Sequence, residues 1–540
     1  MSRKQSFLTG AIILMVANII SKVLGAVFKI PLTYILGEEG MAIFNTAFQV
    51  YIMLLSFIIS GLPFAISKLV AEEEARGREG EVHKIVTVST VLLIVLGIIG
   101  SLALYFGAPF WAYAMKDEKA VFAIQLLAPS VFFVALGTSY KSFYQGAQNM
   151  IPTAVSQVVE SFVKLAAGYV CAMYLLSGGI ARAAGGAVFG VTVGEVVATF
   201  ILVLLYFPNR PRDAKKKAAS TSRKIMGNLM VIALPLLLAS VVSNVLSLID
   251  ISLIRSQLME IRFTPESAAG FLGQYGGFTK IFDSLTNTLR IDMDGARWLY
   301  GAYSGYALTI FHLPVGILAT FGVSILPVIA GALAVGNKGR AQMAASMGFR
   351  ITMLATLPCA VIVYLYADKI LNVLFHNAAS AQMLRLLSPC IVMICMGQLA
   401  ASVLQSAGKI GLSFWYMLVG CILKLIGNVV LIRMPELNIN GAVLSADISY
   451  GVLMLLNLWG AGKTLGLKYN LMEILIKPVI SSLVMGGFMY CIQMPVASVC
   501  QNNFLYLAIV STAGLAVYAL MLLLTNAISV REMKTVLKRA

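Results

Sequence analysis

Apolar runs long enough to cross a membrane follow one another along almost the whole of this chain. That constrains its fold more than any single residue does. A bilayer offers no water to an exposed backbone, so spanning segments are helices or closed barrels. A spanning helix needs about 20 mostly apolar residues. Fourteen stretches meet that requirement: 10–34, 43–67, 85–108, 121–144, 151–176, 184–207, 228–256, 300–333, 345–366, 383–406, 412–432, 439–461, 473–493 and 504–526. Charged residues make up 12 % of the chain, against about 25 % in a soluble domain. The expected fold is an all-α polytopic membrane protein with about 14 transmembrane helices.

The net charge of +17 follows the same plan. Lys and Arg gather in alternate loops: Lys68, Arg76, Arg78 and Lys84 in one, Arg210 to Lys224 in another, Arg531 to Arg539 in the tail. The intervening loops are poor in positive charge. Positive loops stay inside, so both termini are expected in the cytoplasm, which an even number of spans requires. The charge thus reads as topology and as affinity for anionic membrane lipids, with no nucleic-acid partner. The start, M-S-R-K-Q-S-F, has no small-residue cleavage site after its apolar run and reads as a retained first span.

The chain also reads twice. Leu127-Ala128-Pro129, Gln145-Gly146-Ala147 and Lys164 recur as Leu387-Ser388-Pro389, Gln405-Ser406-Ala407 and Lys424, every match offset by 260 positions. Leu62-Pro63 echoes Leu326-Pro327, and Gly186-Ala187-Val188 echoes Gly441-Ala442-Val443. Duplicated bundles are common in transporters. The expected organisation is two six-helix lobes related by an internal repeat plus two C-terminal helices. Residues 1–207 form the N-lobe, 208–225 a basic cytoplasmic linker, 226–462 the C-lobe, and 463–540 the last two spans with a basic tail. An extracytoplasmic insertion covers about 258–299. Its aromatics (Phe263, Phe271, Tyr275, Phe278, Phe282, Trp298, with Tyr300 just beyond) suggest helices lying at the headgroups. Repeat-matched prolines (Pro63 with Pro327, Pro129 with Pro389) would bend their spans.

Charges inside spans are costly and mark function. Lys22 and Lys29 are seven apart and share one helical face. Toward a cavity that face would attract phosphate; the alternative is that both lysines snorkel to the interfaces. Lys164 and Lys424 are the repeat-matched pair. Glu160 lies one turn before Lys164 and would pair with it; Gly420 holds the matching place before Lys424, which would meet a ligand, Asp447 or Asp250. Arg255 lies toward the outer half of its span. Glu160, Glu195, Asp250 and Asp447 would bind a coupling proton or monovalent ion, or serve as partners for the basic groups. His83, His312 and His376 are dispersed, the seven cysteines show no metal spacing, and no phosphate-binding loop, HExxH or G-x-S-x-G occurs. No catalytic residue, metal or cofactor is expected.

Together these features resemble a known group. Ser21-Lys22-Val23-Leu24-Gly25 resembles the first-helix signature of the MurJ lipid II flippases. Leu62-Pro63 and Leu326-Pro327 before charged stretches fit, as does Leu313-Pro314 with Gly316-Ile317-Leu318. The chain is similar to the multidrug/oligosaccharidyl-lipid/polysaccharide (MOP) superfamily, within it to the stage V sporulation protein B and YtgP-type branch. The resemblance implies a flippase that moves lipid II, an undecaprenyl-pyrophosphate-linked peptidoglycan precursor, across a bacterial cytoplasmic membrane by alternating access. It implies a central cationic cavity for the pyrophosphate and a groove for the lipid tail formed by the last two helices. Lys22 falls where the family has its first cavity arginine. Phe28 stands near the place of the next, with Lys29 one residue beyond. Val50 and Leu308 stand near the places of basic residues in spans 2 and 8, so Lys164, Lys424 and Arg255 would supply the missing charge. The rivals are an exporter of another polyprenyl-linked polysaccharide unit, a MATE-like drug/cation antiporter, an enzyme using Asp283, Asp292 or Asp294, and a scaffold for wall assembly.

Overall fold

The computed structural model describes every residue except 1–6, 60, 210–220, 276–289, 317, 319–328, 330–331, 334–335, 468, 501, 526 and 528–540. Most of the proposed linker, Phe278, Phe282, Asp283 and Pro327 therefore lie outside the described residues. What is described is helical almost throughout: α1 (Phe7–Ile59), α2 (Leu62–Ala75), α3 (Glu79–Ala114), α4 (Val121–Gly146), α5 (Ile151–Leu175), α6 (Ile180–Asn209), α7 (Ser222–Met259), α8 (Pro265–Gln274), α9 (Met293–Gly301), α10 (Lys338–Phe375), α11 (Ala381–Ser406), α12 (Ile410–Leu431), α13 (Asn440–Leu465), α14 (Lys477–Val499) and α15 (Asn503–Leu524). Twelve helices among the described residues are long and apolar enough to span a membrane, by length and composition.

The difference from fourteen has two sources. The first of the twelve runs over 59 residues, Val16–Glu74, and takes in two of the expected spans. At about 1.5 Å per residue it is far longer than a bilayer is thick. It breaks at Gly37, whose φ of 58° and ψ of −168° are not helical. The expected span 300–333 is interrupted by residues outside those described, at 317, 319–328 and 330–331. Pro63 does not bend a helix; it opens α2, in the first turn where a missing N–H costs nothing. Pro129 and Pro389 lie inside α4 and α11.

The chain divides into two units: Met1–Ser256 with Ala296–Gly305, and Gln257–Gly295 with Tyr306–Ala540. Within each unit the repeat has a plain structural meaning. The Gln-x-Ala stretches end α4 and α11 with the same turn: Asn149 N donates to Tyr144 O at 2.9 Å, and Lys409 N to Leu404 O at 2.9 Å. Lys116 and His376, also 260 apart, both leave their helices with positive φ, 55° and 52°. The Gly-Ala-Val stretches are crossing points. A Cβ on Gly186 would lie 2.4 Å from the Cys171 carbonyl oxygen, and one on Gly441 2.5 Å from that of Leu431. Only glycine lets those backbones approach so closely. The α5–α6 and α12–α13 pairs thus cross in the same way.

The insertion corrects the reading from sequence. Four of its described aromatics are packed inside protein instead of spread at a headgroup surface. Phe263, Phe271, Tyr275 and Tyr300 are all buried, and the rings of the first three meet at tilted angles with centroids 5.1 and 4.9 Å apart. Thr264 and Ser267 cap α8 reciprocally. Tyr275 donates to Asn438 Oδ1 at 3.4 Å, and burial pushes its phenol up. Asp292 accepts from Gly295 N at 2.7 Å, a turn-stabilising contact at the start of α9. The last two helices dock on α10: Tyr366 donates to Met489 O at 3.0 Å and Tyr518 to Leu354 O at 2.9 Å.

Candidate functional site

The N-terminal unit holds a cluster of five ionisable side chains from four helices. Glu160 and Lys164 share a face of α5, one turn apart. The glycines of α6 bring Glu195 to them: a Cβ on Gly190 would lie 2.3 Å from Gly168 Cα, and one on Gly194 2.9 Å from Glu160 O. Glu195 is 8 % exposed, and its carboxyl touches that of Glu160. From α4, Lys141 Nζ reaches Glu160 Oε2 at 3.3 Å. Lys164 is the neighbour of both acids, with its Nζ 4.9 Å over the Phe48 ring, a cation–π contact. Lys29 on α1 adds a like charge beside Lys164. Three lysines against two carboxyls leave the cluster formally positive.

The sequence singled out four of these five. The Glu160–Lys164 proximity is there, but the direct ion pair is with Lys141, which the sequence reading passed over. Its signal was a lone lysine near the end of the apolar run 121–144. Lys22 is exposed on α1. Its face is set by neighbours on α5: Asn18 Oδ1 accepts from Gln157 Nε2 at 2.6 Å, and Ser21 donates to Gln157 O at 3.3 Å. Phe28, near the place of the family's second arginine, is buried against Gly168.

The second unit carries the repeat-related counterpart. Cys390 on α11 donates to Asp447 Oδ1 on α13 at 2.6 Å, and Lys424 on α12 lies within electrostatic reach of Cys390. Asp250 is half-buried on α7, in the other unit from Lys424.

Arg255 departs most from expectation. It was expected to bind substrate, yet it is 0 % exposed and spends its guanidinium inside the bundle. Nη1 donates to Met115 O at 2.8 Å and lies 3.2 Å from Asp117 Oδ2; Nη2 donates to Thr46 Oγ1 at 2.7 Å. In this conformation it has no face to offer an anion.

The second unit also contains a groove of about 900 Å³. Met353 and Val361 from α10, Met393 from α11, Leu458 from α13, and Leu483 and Gly487 from α14 line it. Its two serines turn back on their own helices, Ser388 to Arg385 O and Ser482 to Pro478 O, each at 2.8 Å. A ligand there meets hydrocarbon. Of the last two helices only α14 contributes lining residues; α15 packs behind it against α10, through Tyr506 and Tyr518.

A family model described as "Polysaccharide biosynthesis protein" matches residues 7–333. The chain belongs to that family. A second model, "Lipid II flippase MurJ", matches residues 300–522. Over 539 residues this family member is 25 % identical to the stage V sporulation protein B of Bacillus subtilis (strain 168), covering 99 % of this chain and 98 % of the relative. Its fold is similar to that of solved membrane transporters. It matches the inward closed conformation of lipid II flippase MurJ with a TM-score of 0.66 at 14 % identity, over 94 % of this chain and 98 % of that one. It matches an inward-facing multidrug resistance MATE family transporter of the MOP superfamily with a TM-score of 0.65 at 14 % identity, over 84 % and 98 %. These likenesses give it the fold shared by those two solved structures, and its twelve long apolar helices among the described residues mark a polytopic membrane protein.

Proposed function

We propose that this chain is a flippase that moves an undecaprenyl-pyrophosphate-linked peptidoglycan precursor, lipid II, across the cytoplasmic membrane by alternating access between two lobes. The observation that carries the reading is the pairing of two features in one chain. An apolar groove bordered by α14 suits a polyprenyl tail, and membrane-embedded lysines in formal excess over acids suit a pyrophosphate. Lys22, Lys29, Lys164 and Lys424 are the anion-binding residues in this reading; Arg255, spent on Asp117, is not one in the present conformation. Glu160, Glu195, Asp250 and Asp447 are the candidates for coupling a monovalent ion. Both termini face the cytoplasm.

A drug/cation antiporter would want carboxylates to dominate its membrane-embedded cluster, and here lysines outnumber them. One observation favours a second reading, the export of another polyprenyl-linked polysaccharide unit: the polysaccharide biosynthesis model matches the longer part of the chain. Purified protein in vesicles, offered fluorescent lipid II and a polyprenyl-pyrophosphate-linked oligosaccharide in competition, separates the two. Preferential movement of lipid II supports the first reading, and preferential movement of the oligosaccharide supports the second. Movement of neither, with uptake of a cationic dye instead, would overturn both.

A further inference from the structure

Asp117, in the turn between α3 and α4, is a buried carboxylate gripped by two arginines. Arg297 Nε donates to its Oδ1 at 2.8 Å, and Arg255 Nη1 lies 3.2 Å from its Oδ2. Asp117 is 0 % exposed and Arg297 3 %. The Thr46 hydroxyl, which accepts from Arg255, is 3.2 Å from Asp117 Oδ2, and the Arg255 guanidinium lies 4.6 Å over the Tyr300 ring. Around this centre, Lys119 pairs with Glu39 at 2.7 Å, and Arg297 Nη1 stands 3.9 Å from the same Glu39 oxygen. The carbonyls left over at the end of α3 are capped from α7: Ser252 donates to Ala114 O at 2.9 Å, and Arg255 to Met115 O. The end of α9 is pressed as closely: a Cβ on Gly301 would lie 1.8 Å from Glu38 O. Asn45 Nδ2 donates to Ser304 Oγ at 3.2 Å.

Three features make this a poor permanent joint and a good releasable one. A buried ion network gives little stability over well-packed apolar side chains, and its best-attested use is to specify a register or a switch. The engaged state is not fully satisfied, because the buried Arg255 Nε has no hydrogen-bond partner, which narrows its advantage over an open state. The third feature is position. The chain passes from one unit to the other at Ser256/Gln257, Gly295/Ala296 and Gly305/Tyr306. Arg255 and Arg297 each sit within two residues of a crossover, and the π-helix Ala302–Ala307 spans the third. Such irregular turns recur at functional sites. Arg255 and Arg297 thus stand where the chain leaves or enters the N-terminal unit.

We propose that Asp117, Arg255 and Arg297 form a latch that holds the ends of α7 and α9 on the N-terminal unit and must open in each transport cycle. The link to transport rests on the flippase reading; the existence of two latch states does not.

The test uses the full-length chain in vesicles, with its seven native cysteines replaced by alanine and Asn45→Cys with Ser304→Cys added. Oxidation ties the latch shut. The expected result is at least a tenfold loss of fluorescent lipid II movement, restored by reduction. In the Ser304→Cys single variant, Asp117→Asn should speed alkylation by a maleimide at least fivefold, and Arg297→Gln should act in the same direction if Asp117→Asn does not accumulate. A cross-linked protein that moves lipid II at the uncross-linked rate would overturn the proposal, as would alkylation unchanged by loss of the charge. Faster alkylation without any lipid II movement, even in the reduced protein, would keep the latch and reject the cargo.

Discussion

Lys141 Nζ lies 3.3 Å from Glu160 Oε2, bridging α4 to α5 in the interior of the N-terminal unit. Removing one partner of a buried pair leaves the other charge without compensation, at a cost of about 3–5 kcal/mol. This pair is partly exposed, so the cost should fall below that range. Glu160→Gln should lower the melting temperature in detergent, and Lys141→Met added to it should recover much of the loss. The double-mutant cycle measures this directly. Additive losses would mean the two side chains do not stabilise one another.

The groove can be plugged without disturbing the helix that borders it. A Cβ on Gly487 would meet nothing within 4 Å, and the residue lines the groove. Replacing a mid-helix glycine usually gains a few tenths to about 1 kcal/mol of helix stability. Gly487→Phe should therefore keep its melting temperature while losing most lipid II movement, about tenfold or more. Undiminished movement would remove the groove from the transport path.

The repeat predicts paired steric effects. Alanine at Gly186 or at Gly441 would drive a methyl into a backbone carbonyl on the neighbouring helix. Overpacking of this kind costs about 1–3 kcal/mol. The two variants should lose similar amounts of thermal stability, while Gly227→Ala, whose methyl would meet nothing within 4 Å, should lose none. Unequal losses would show that the two crossings are not equivalent.

Gly301→Ala probes the latch from the steric side. Its methyl would collide with Glu38 O, so the end of α9 must back away. Maleimide labelling of a cysteine at position 304 should speed up in this variant, as it should with Asp117→Asn. Labelling at the parent rate would mean that the contact at Glu38 yields without opening the latch.

Much of this architecture was legible in the sequence because membrane helices and repeats leave strong signals. Apolar length gave the helices. The internal repeat marked positions that share a structural task, such as the turns after α4 and α11 and the crossings at Gly186 and Gly441. Tertiary partners were not legible. Arg255 read as a substrate ligand because its partner, Asp117, lies 138 positions away in what looked like an ordinary charged turn. The aromatics of the insertion read as interfacial because composition does not distinguish a ring facing lipid from one buried in protein, as Tyr275 is with its hydroxyl on Asn438. Lys141 was hidden by lying near the end of an apolar run, where a lysine usually marks an interface. The break at Gly37, by contrast, falls between the two expected spans 10–34 and 43–67.

The most direct measurement is the exposure of lipid II at the outer face of cells in which this chain is the sole flippase, compared between the wild type and Lys22→Glu. Labelled lipid II should appear outside with the wild type and fall at least tenfold with the charge reversed. No outward lipid II with the wild type, or equal exposure with both, would contradict a lipid II flippase that reads its cargo's pyrophosphate through these lysines.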